Sequence, residues 1–272
     1  MELSENLLNA FICGDCFEEM PKLPDECVDL VLTDPPYGID YQSNRRVARP
    51  KLPKFENDVD LSWVDGWVEE VYRVLKPDRH FYCFTRFDMY PVFYRSINRF
   101  FKVKNCLIWV KNNHGSGDLN GAYAPQCEMI IYAGKGKRLL NGSRESDVLH
   151  CDNVPSAFRR HATQKPVELL RQLIEKSTEP GELVLDPFAG VGSTGLACID
   201  SDRFHGDHHE RNYLLFELNR EFVEKGRAGG LGRQEILLES ARIARQEHPK
   251  KRPALRTNRV RARRDETLPI PF

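Results

Sequence analysis

The sequence contains no run approaching the roughly 20 apolar residues that a membrane-spanning helix needs, so no span is expected. Met1 to Ala10 carries neither a basic leader region nor a long apolar stretch, and a secretory signal is not expected either. Charge of one sign is not in excess. Forty Lys and Arg stand against 40 Asp and Glu, so overall charge points to no particular partner. Paired metal-ligand spacing is also missing. Cys13 and Cys16 form a lone Cys-x-x-Cys, and neither Cys127 nor Cys151 supplies the second pair that a zinc site needs. Without an export signal the eight cysteines are expected as reduced thiols, with Cys13 ending a buried strand and Cys16 opening a turn. His205, His208 and His209 fall in a polar, Asp-rich stretch that reads as a solvated loop. There is no Gly-Lys-Ser/Thr phosphate loop, which disfavours a nucleoside triphosphate as ligand. No internal repeat is visible.

What is present is the composition of a soluble globular chain, 40% hydrophobic and 29% charged over 272 residues. That length is enough for one large domain with appendages. Short apolar runs alternate with helical periods. Strands are predicted at Ala10–Cys13, Val28–Leu32, His80–Thr85, Val103–Val110, Cys127–Tyr132, Glu182–Leu185 and Tyr213–Phe216. Trp63, Trp67, Val71, Val74 and Leu75 share one helix face that stops at Lys76-Pro77. Met89–Phe101 is predicted helical with Pro91 in its first turn. A further helix opens on Pro166, with Leu169, Leu170, Leu173 and Ile174 on one side. Ser193–Ile199 and the residues from Arg220 complete the helices. This alternation predicts an α/β fold, a mostly parallel sheet covered on both faces.

Two stretches, Gln42–Asp58 and Asn112–Ala124, are too polar to pack and read as loops over an active site. Arg45, Arg46, Arg49, Lys51 and Lys54 concentrate in the first. From Pro249 the chain becomes basic and Pro-flanked. Its run from Lys250 to Arg264 contains no acid, and it reads as a disordered tail.

Two motifs carry chemistry. Thr33-Asp34-Pro35-Pro36-Tyr37-Gly38 follows the Val28–Leu32 strand, and ligands of open α/β sheets sit beyond the carboxyl ends of strands. Two successive prolines stiffen the turn and remove two N–H donors, leaving acceptors. The Asp34 carboxylate and the Pro35 carbonyl can each accept one N–H of an amino group on a flat ring, while Tyr37 stacks on the ring. Taken alone, a rigid turn with a capping Asp explains the same residues equally well. The second motif, Asp186-Pro187-Phe188-Ala189-Gly190-Val191-Gly192-Ser193-Thr194, is again strand, tight turn and helix. Its glycines admit a ligand to the backbone, and the helix N-terminus offers N–H groups to an anion. Glu217, ending the next strand, supplies a carboxylate suited to ribose hydroxyls.

Together these motifs resemble the β-class of amino-DNA methyltransferases, in which the catalytic motif precedes the cofactor motif. Gly14-Asp15-Cys16 with Leu23-Pro24 and Val28-Asp29-Leu30 is similar to that family's lead-in. His161-Ala162-Thr163-Gln164-Lys165-Pro166 is similar to its segment before the cofactor strand, and Trp109-Val110-Lys111-Asn112-Asn113 to its strand and loop near the target base. The resemblance covers about Ala10 to Val223. It implies a class I S-adenosylmethionine-dependent methyltransferase fold, Rossmann-like, with circularly permuted motif order. Residues 1–248 would form the catalytic domain, with small DNA-recognition insertions near 42–58, 112–124 and 135–160, and 249–272 the tail.

The implied roles follow. Asp34, Pro35, Pro36 and Tyr37 form the catalytic turn, Asp34 and Pro35 holding the amine of a flipped base. Phe188, Ala189, Gly190 and Gly192 line the methionine and sulfonium of S-adenosylmethionine, Asp15 lies near its adenine, and Lys165 and Thr194 approach its carboxylate. Glu217 binds its ribose, and Thr33, Asp186, Pro187 and Ser193 complete the cofactor set. Lys111 and Asn112 join the basic loop on DNA. The implied cofactor is S-adenosylmethionine with no metal. The implied partner is double-stranded DNA, with a second copy of the chain and a cognate restriction endonuclease as further candidates and no membrane. A cytoplasmic, DNA-associated protein of bacterial or phage origin is expected. Asp rather than Ser before Pro-Pro-Tyr favours adenine N6 as acceptor. N4-cytosine, an RNA or protein amine, and a non-catalytic regulator are the rivals. The family's spacing departs in two places. Asp186 to Glu217 is lengthened by an apparent insertion, Asp202–Asn212, and the segment 135–160 is short for target recognition.

Overall fold

Short apolar runs build the sheet, and apolar residues at period 3.6 build the helices that cover it. The protein was analysed as a computed structural model that describes residues 3–36, 62–115, 120–155, 164–201 and 211–231. All of these fall within one unit, Met1–Gln234. In chain order the elements are β1 (Ala10–Cys13), α1 (Cys16–Glu19), β2 (Val28–Thr33), α2 (Val64–Val74), β3 (Leu75–Thr85), α3 (Tyr90–Phe100), β4 (Lys102–Val110), β5 (Cys127–Lys135), β6 (Val148–His150), α4 (Val167–Ser177), β7 (Leu183–Asp186), α5 (Ser193–Asp200), β8 (Asn212–Glu217) and α6 (Arg220–Ala228). Among the described residues no helix is long and apolar enough to cross a membrane.

The strands form one sheet in the order β1-β8-β7-β2-β3-β5-β4-β6. The β3–β5 and β5–β4 pairs are antiparallel and the other pairs parallel, so β5 alone among these strands runs against the rest. Parallel neighbours need crossovers, and the crossovers place helices on both faces. The inner strands are therefore apolar on both sides. Along β3, Phe81 and Cys83 join one core with Trp67, Val71, Phe93 and Ile97 of α2 and α3. Tyr82 and Phe84 join the other core with Leu169, Leu173 and Ile174 of α4 and Ala197 of α5. Burying each Leu, Ile, Val or Phe among them contributes roughly 1.5–3 kcal/mol.

Three local differences from the sequence reading have physical causes. Helix α2 ends at Val74, because Leu75 is already extended and pairs with Val28 of β2. The chain then bulges through Asp78 (φ 55°) before the fully buried strand segment His80–Thr85. Pro166 caps α4 from an extended conformation, so the helix opens one residue later than predicted. Strand β6 was not predicted. With three residues, its two ends exposed, it is too short to show a period, and it forms by pairing in parallel with Ile108–Val110.

The strand directions also divide the segment 135–160. Because β5 is reversed, its last residue, Lys135, pairs with Arg79 at the amino end of β3. The chain beyond it packs at that edge. Arg138 bonds Glu182, and the Asn141 amide donates to the carbonyls of Glu175 and Thr178. Among the described residues of this segment only β6 and those after it, to 155, return to the carboxyl edge of the sheet.

Candidate active site at the switch between β2 and β7

The chain leaves β2 towards β3 and leaves β7 towards β8, in opposite directions across the sheet. Loops that diverge from adjacent parallel strands open a crevice at the carboxyl edge. Asp34 follows β2 and Asp186 ends β7, so both motifs meet at this point.

Asp186 joins the two motifs. Its Oδ1 accepts the Thr33 hydroxyl at 2.7 Å and the Phe188 N–H at 3.1 Å, and its Oδ2 accepts the Thr194 hydroxyl at 2.5 Å. One buried carboxylate thus ties the end of β2, the turn after β7 and the first turn of α5. Burial pushes this acid up to about 6, against the three hydrogen bonds that favour its ionised form. The Thr33 and Thr194 hydroxyls, assigned by resemblance to cofactor, are instead turned onto Asp186, leaving these residues 2% and 3% exposed. A carboxylate removed from water needs such donors.

Asp34 is half-buried, between buried Thr33 and buried Pro35. Its Oδ2 accepts Lys165 Nζ at 2.5 Å. The same ammonium lies 2.9 Å from Glu128 Oε2 of β5, and Glu128 Oε1 accepts Lys111 Nζ at 2.6 Å. The two ammonium groups lie over aromatic rings, Lys165 on Phe84 and Lys111 on Trp109. Burial alone would favour neutral Lys165, but Asp34 and then Glu128 outweigh it and hold the ammonium above the ordinary lysine range. Burial likewise opposes ionised Glu128. Lys165 and Lys111 outweigh that and hold it below the ordinary carboxylate range. Both lysines of the expected site are placed by these pairs. Lys165, expected at a cofactor carboxylate, is engaged by Asp34 and Glu128. Lys111, expected on DNA, is engaged by Glu128 and largely covered. Sequence reasoning missed Glu128, although a charge just ahead of the apolar run of β5 signals a partly buried ion that requires partners.

The third part is a cradle on the neighbouring strand ends. Gly190 has φ +55°, and a Cβ there would meet nothing within 4 Å. Its N–H donates to Glu217 Oε2 at 2.9 Å, while Glu217 Oε1 accepts the Asn219 N–H at 2.8 Å. Burial pushes Glu217 up to about 7 in spite of these bonds. Gly14, beside Asp15, donates its N–H to the Glu217 carbonyl, and the Asp15 carboxylate caps α1 through the Phe17 N–H. Gly192 holds the left-handed turn that starts α5. Pro187, Ala189 and Ser193 are buried in the turn and first helical residue, and half-buried Phe188 packs on Trp63 and Trp67. Asp15, Glu217, Gly190 and Asp34 therefore lie in that order along four adjacent strand ends.

Asn112 is exposed, and its Oδ1 accepts the Asn153 N–H, tying the loop after β4 to the chain after β6. Tyr37, Arg45, Arg46, Arg49, Lys51, Lys54, the residues 202–210 and the tail 249–272 lie outside the described residues. Cys13 ends β1 half-buried, and buried Cys16 opens α1. Among the described residues no group of three or more His, Cys, Asp or Glu is arranged to hold a metal ion.

A permuted, doubly covered sheet with an acceptor turn beside a glycine cradle defines the class I methyltransferase architecture. Residues 28–227 match the family model described as DNA methylase, the N6/N4 type, and the chain belongs to that family. It is 35% identical to the putative methylase YubD of Escherichia coli (strain K12), over 80% of this chain and 88% of that protein. It is 26% identical to the DNA adenine methyltransferase YhdJ of the same organism, over 81% and 82%. Among solved structures, the cytosine-N4-specific PvuII DNA methyltransferase shares the fold, with a TM-score of 0.63, 19% identity and coverage of 87% and 91%.

Proposed function

We propose that this DNA methylase transfers a methyl group from S-adenosylmethionine to adenine N6 in double-stranded DNA. The observation that carries the reading is the fixed position of Asp34 at the β2–β7 switch, tied through Thr33 and Asp186 to the glycine cradle. Asp rather than Ser before Pro-Pro-Tyr supports adenine, as does the likeness to an adenine methyltransferase.

The cradle suits this methyl donor. Glu217 is a largely buried carboxylate whose burial cost is only partly met by two N–H groups, as expected of a group that receives ribose hydroxyls. The open space over Gly190 admits a ligand to the backbone. Asp15 lies on the adenine side, Glu217 at the ribose, and Phe188, Ala189, Gly190 and Gly192 along the methionine. When bound, S-adenosylmethionine supplies a methyl group already activated on a sulfonium, so the protein's task is to aim the acceptor.

The adenine N6 lone pair is delocalised into the ring and is a poor nucleophile. Asp34 and the Pro35 carbonyl each accept one N–H, which draws the lone pair out of conjugation and points it at the methyl. Alignment and electrostatics of this kind contribute several kcal/mol of barrier lowering. The Lys165 ammonium stabilises the negative charge on Asp34 and keeps it an acceptor. Once it carries the methyl group the nitrogen is cationic, and it would release a proton to the Asp34 carboxylate that already accepts its N–H. The base must leave the helix to reach the turn, at a cost of a few kcal/mol partly recovered by stacking on Tyr37. Arg45, Arg46, Arg49, Lys51 and Lys54, just after the turn, hold the flanking phosphates.

Mapping modified bases in DNA from cells that express the chain tests the acceptor. N6-methyladenine at one short sequence supports the reading, and N4-methylcytosine in its place refutes the adenine assignment.

A further inference from the structure

We propose that Glu128 is a positioning residue for methyl transfer, acting on Asp34 through the shared ammonium of Lys165 and itself held by Lys111. The inference rests on the amine-transfer reading above and goes beyond it. Glu128 lies near the start of β5, opposite Trp109 of β4. The charged groups around it come from three places: Lys111 after β4, Lys165 ahead of α4, and, through Lys165, Asp34 after β2.

The geometry gives each ion a task. An ammonium bonded to Asp34 alone would neutralise the carboxylate that must attract the base amine. Sharing Lys165 between two carboxylates, at 2.5 and 2.9 Å, leaves Asp34 the stronger acceptor and fixes the direction from which Lys165 approaches. Lys111 offsets the second carboxylate, so the four-ion chain is neutral as a whole and tolerates its low exposure. The chain also joins the catalytic turn to the segment that begins at Asn112. Loop and turn thereby share one set of partly buried ion pairs.

The pH behaviour separates this role from a purely structural one. Burial raises the Glu128 acid, and the two lysines hold it down. With Lys111 removed, one of the two opposing charges is lost. Glu128 then protonates at higher pH, and turnover falls with it as pH falls.

The test uses full-length protein, tritiated methyl transfer to DNA and calorimetric binding of S-adenosylmethionine. Glu128→Gln is expected to lower kcat about tenfold or more with cofactor affinity and DNA KM within about twofold. The Glu128→Gln/Lys165→Met double variant is expected to match Lys165→Met alone, because residues acting through one contact are not additive. Lys111→Met is expected to move the acid limb of kcat to higher pH. Wild-type kcat in Glu128→Gln, or multiplicative losses in the double variant, overturns the proposal. Should Glu128→Gln fail to fold, an unmoved acid limb in Lys111→Met overturns it. Wild-type protein that transfers no methyl group refutes the amine-transfer reading itself, whereas an active wild type with an equally active Glu128→Gln refutes only this proposal.

Discussion

Between pH 8 and pH 6 the affinity of this protein for S-adenosylmethionine should fall about tenfold, through protonation of Glu217. Burial sets the Glu217 acid at about 7 in the ligand-free protein. At pH 8 roughly nine tenths of it is ionised, and at pH 6 roughly one tenth. Ribose hydroxyls donate to a carboxylate, and a protonated acid offers them a weaker acceptor. If only the ionised form grips the ribose, Kd varies inversely with the ionised fraction, which corresponds to about 1.4 kcal/mol over this range. The stability of the ligand-free protein runs the other way. The folded-state value lies above the ordinary 4.5, so this group's contribution is fully present below pH 4.5 and is lost as pH rises through about 7. The loss is about 3 kcal/mol. Affinity thus improves over the interval in which Glu217 makes the free protein less stable, which separates the effect from acid unfolding. Isothermal calorimetry at pH 6, 7 and 8 and constant ionic strength measures it directly. Glu217→Gln should bind more weakly and without the slope. A flat wild-type affinity, or a slope that survives in Glu217→Gln, refutes the assignment of Glu217 to the ribose.

Three further outcomes follow from the same geometry. Gly192 has φ +79°, and a Cβ there would lie 2.2 Å from Leu231 Cδ1, so Gly192→Ala should cost about 2–3 kcal/mol in urea unfolding; wild-type stability in that variant contradicts the turn. His80 is buried among Ser177, Tyr132 and Lys104, and burial lowers it from 6.5 to about 4. Its neutral form contributes stability that is present above pH 6.5 and lost as pH falls through about 4, so the stability gap between wild type and His80→Asn should narrow by about 3 kcal/mol from pH 7 to pH 4; a constant gap excludes His80 as the source. Replacing Arg45, Arg46, Arg49, Lys51 and Lys54 with Ala should reduce the slope of log K against log salt for duplex DNA by about 0.9 for each phosphate that is no longer neutralised; an unchanged slope removes that cluster from the interface.

The sheet was legible because its inner strands alternate onto two cores, as Phe81 to Phe84 do, and because α4 carries Leu169, Leu170, Leu173 and Ile174 on one face. The two motifs were legible because Asp34-Pro35-Pro36 and the Gly190–Gly192 turn each carry local backbone constraints. Side-chain partnerships were not. Thr33 and Thr194 read equally well as cofactor ligands until Asp186 is seen between them, 153 residues from the one and 8 from the other. Lys111, Glu128 and Lys165 come from three separate segments, and no periodicity links them. A three-residue edge strand such as β6 exists only through its pairing with β4.

The account turns on Asp34 as acceptor for the target amine, and Asp34→Asn tests it most directly. The change keeps the shape and an oxygen for Lys165 but removes the charge that draws the amine. Tritiated methyl transfer to DNA should fall by about 10³-fold or more, while the calorimetric affinity for S-adenosylmethionine stays within about twofold of wild type. A variant that keeps turnover within about tenfold of wild type, or that loses the cofactor instead, contradicts the central claim.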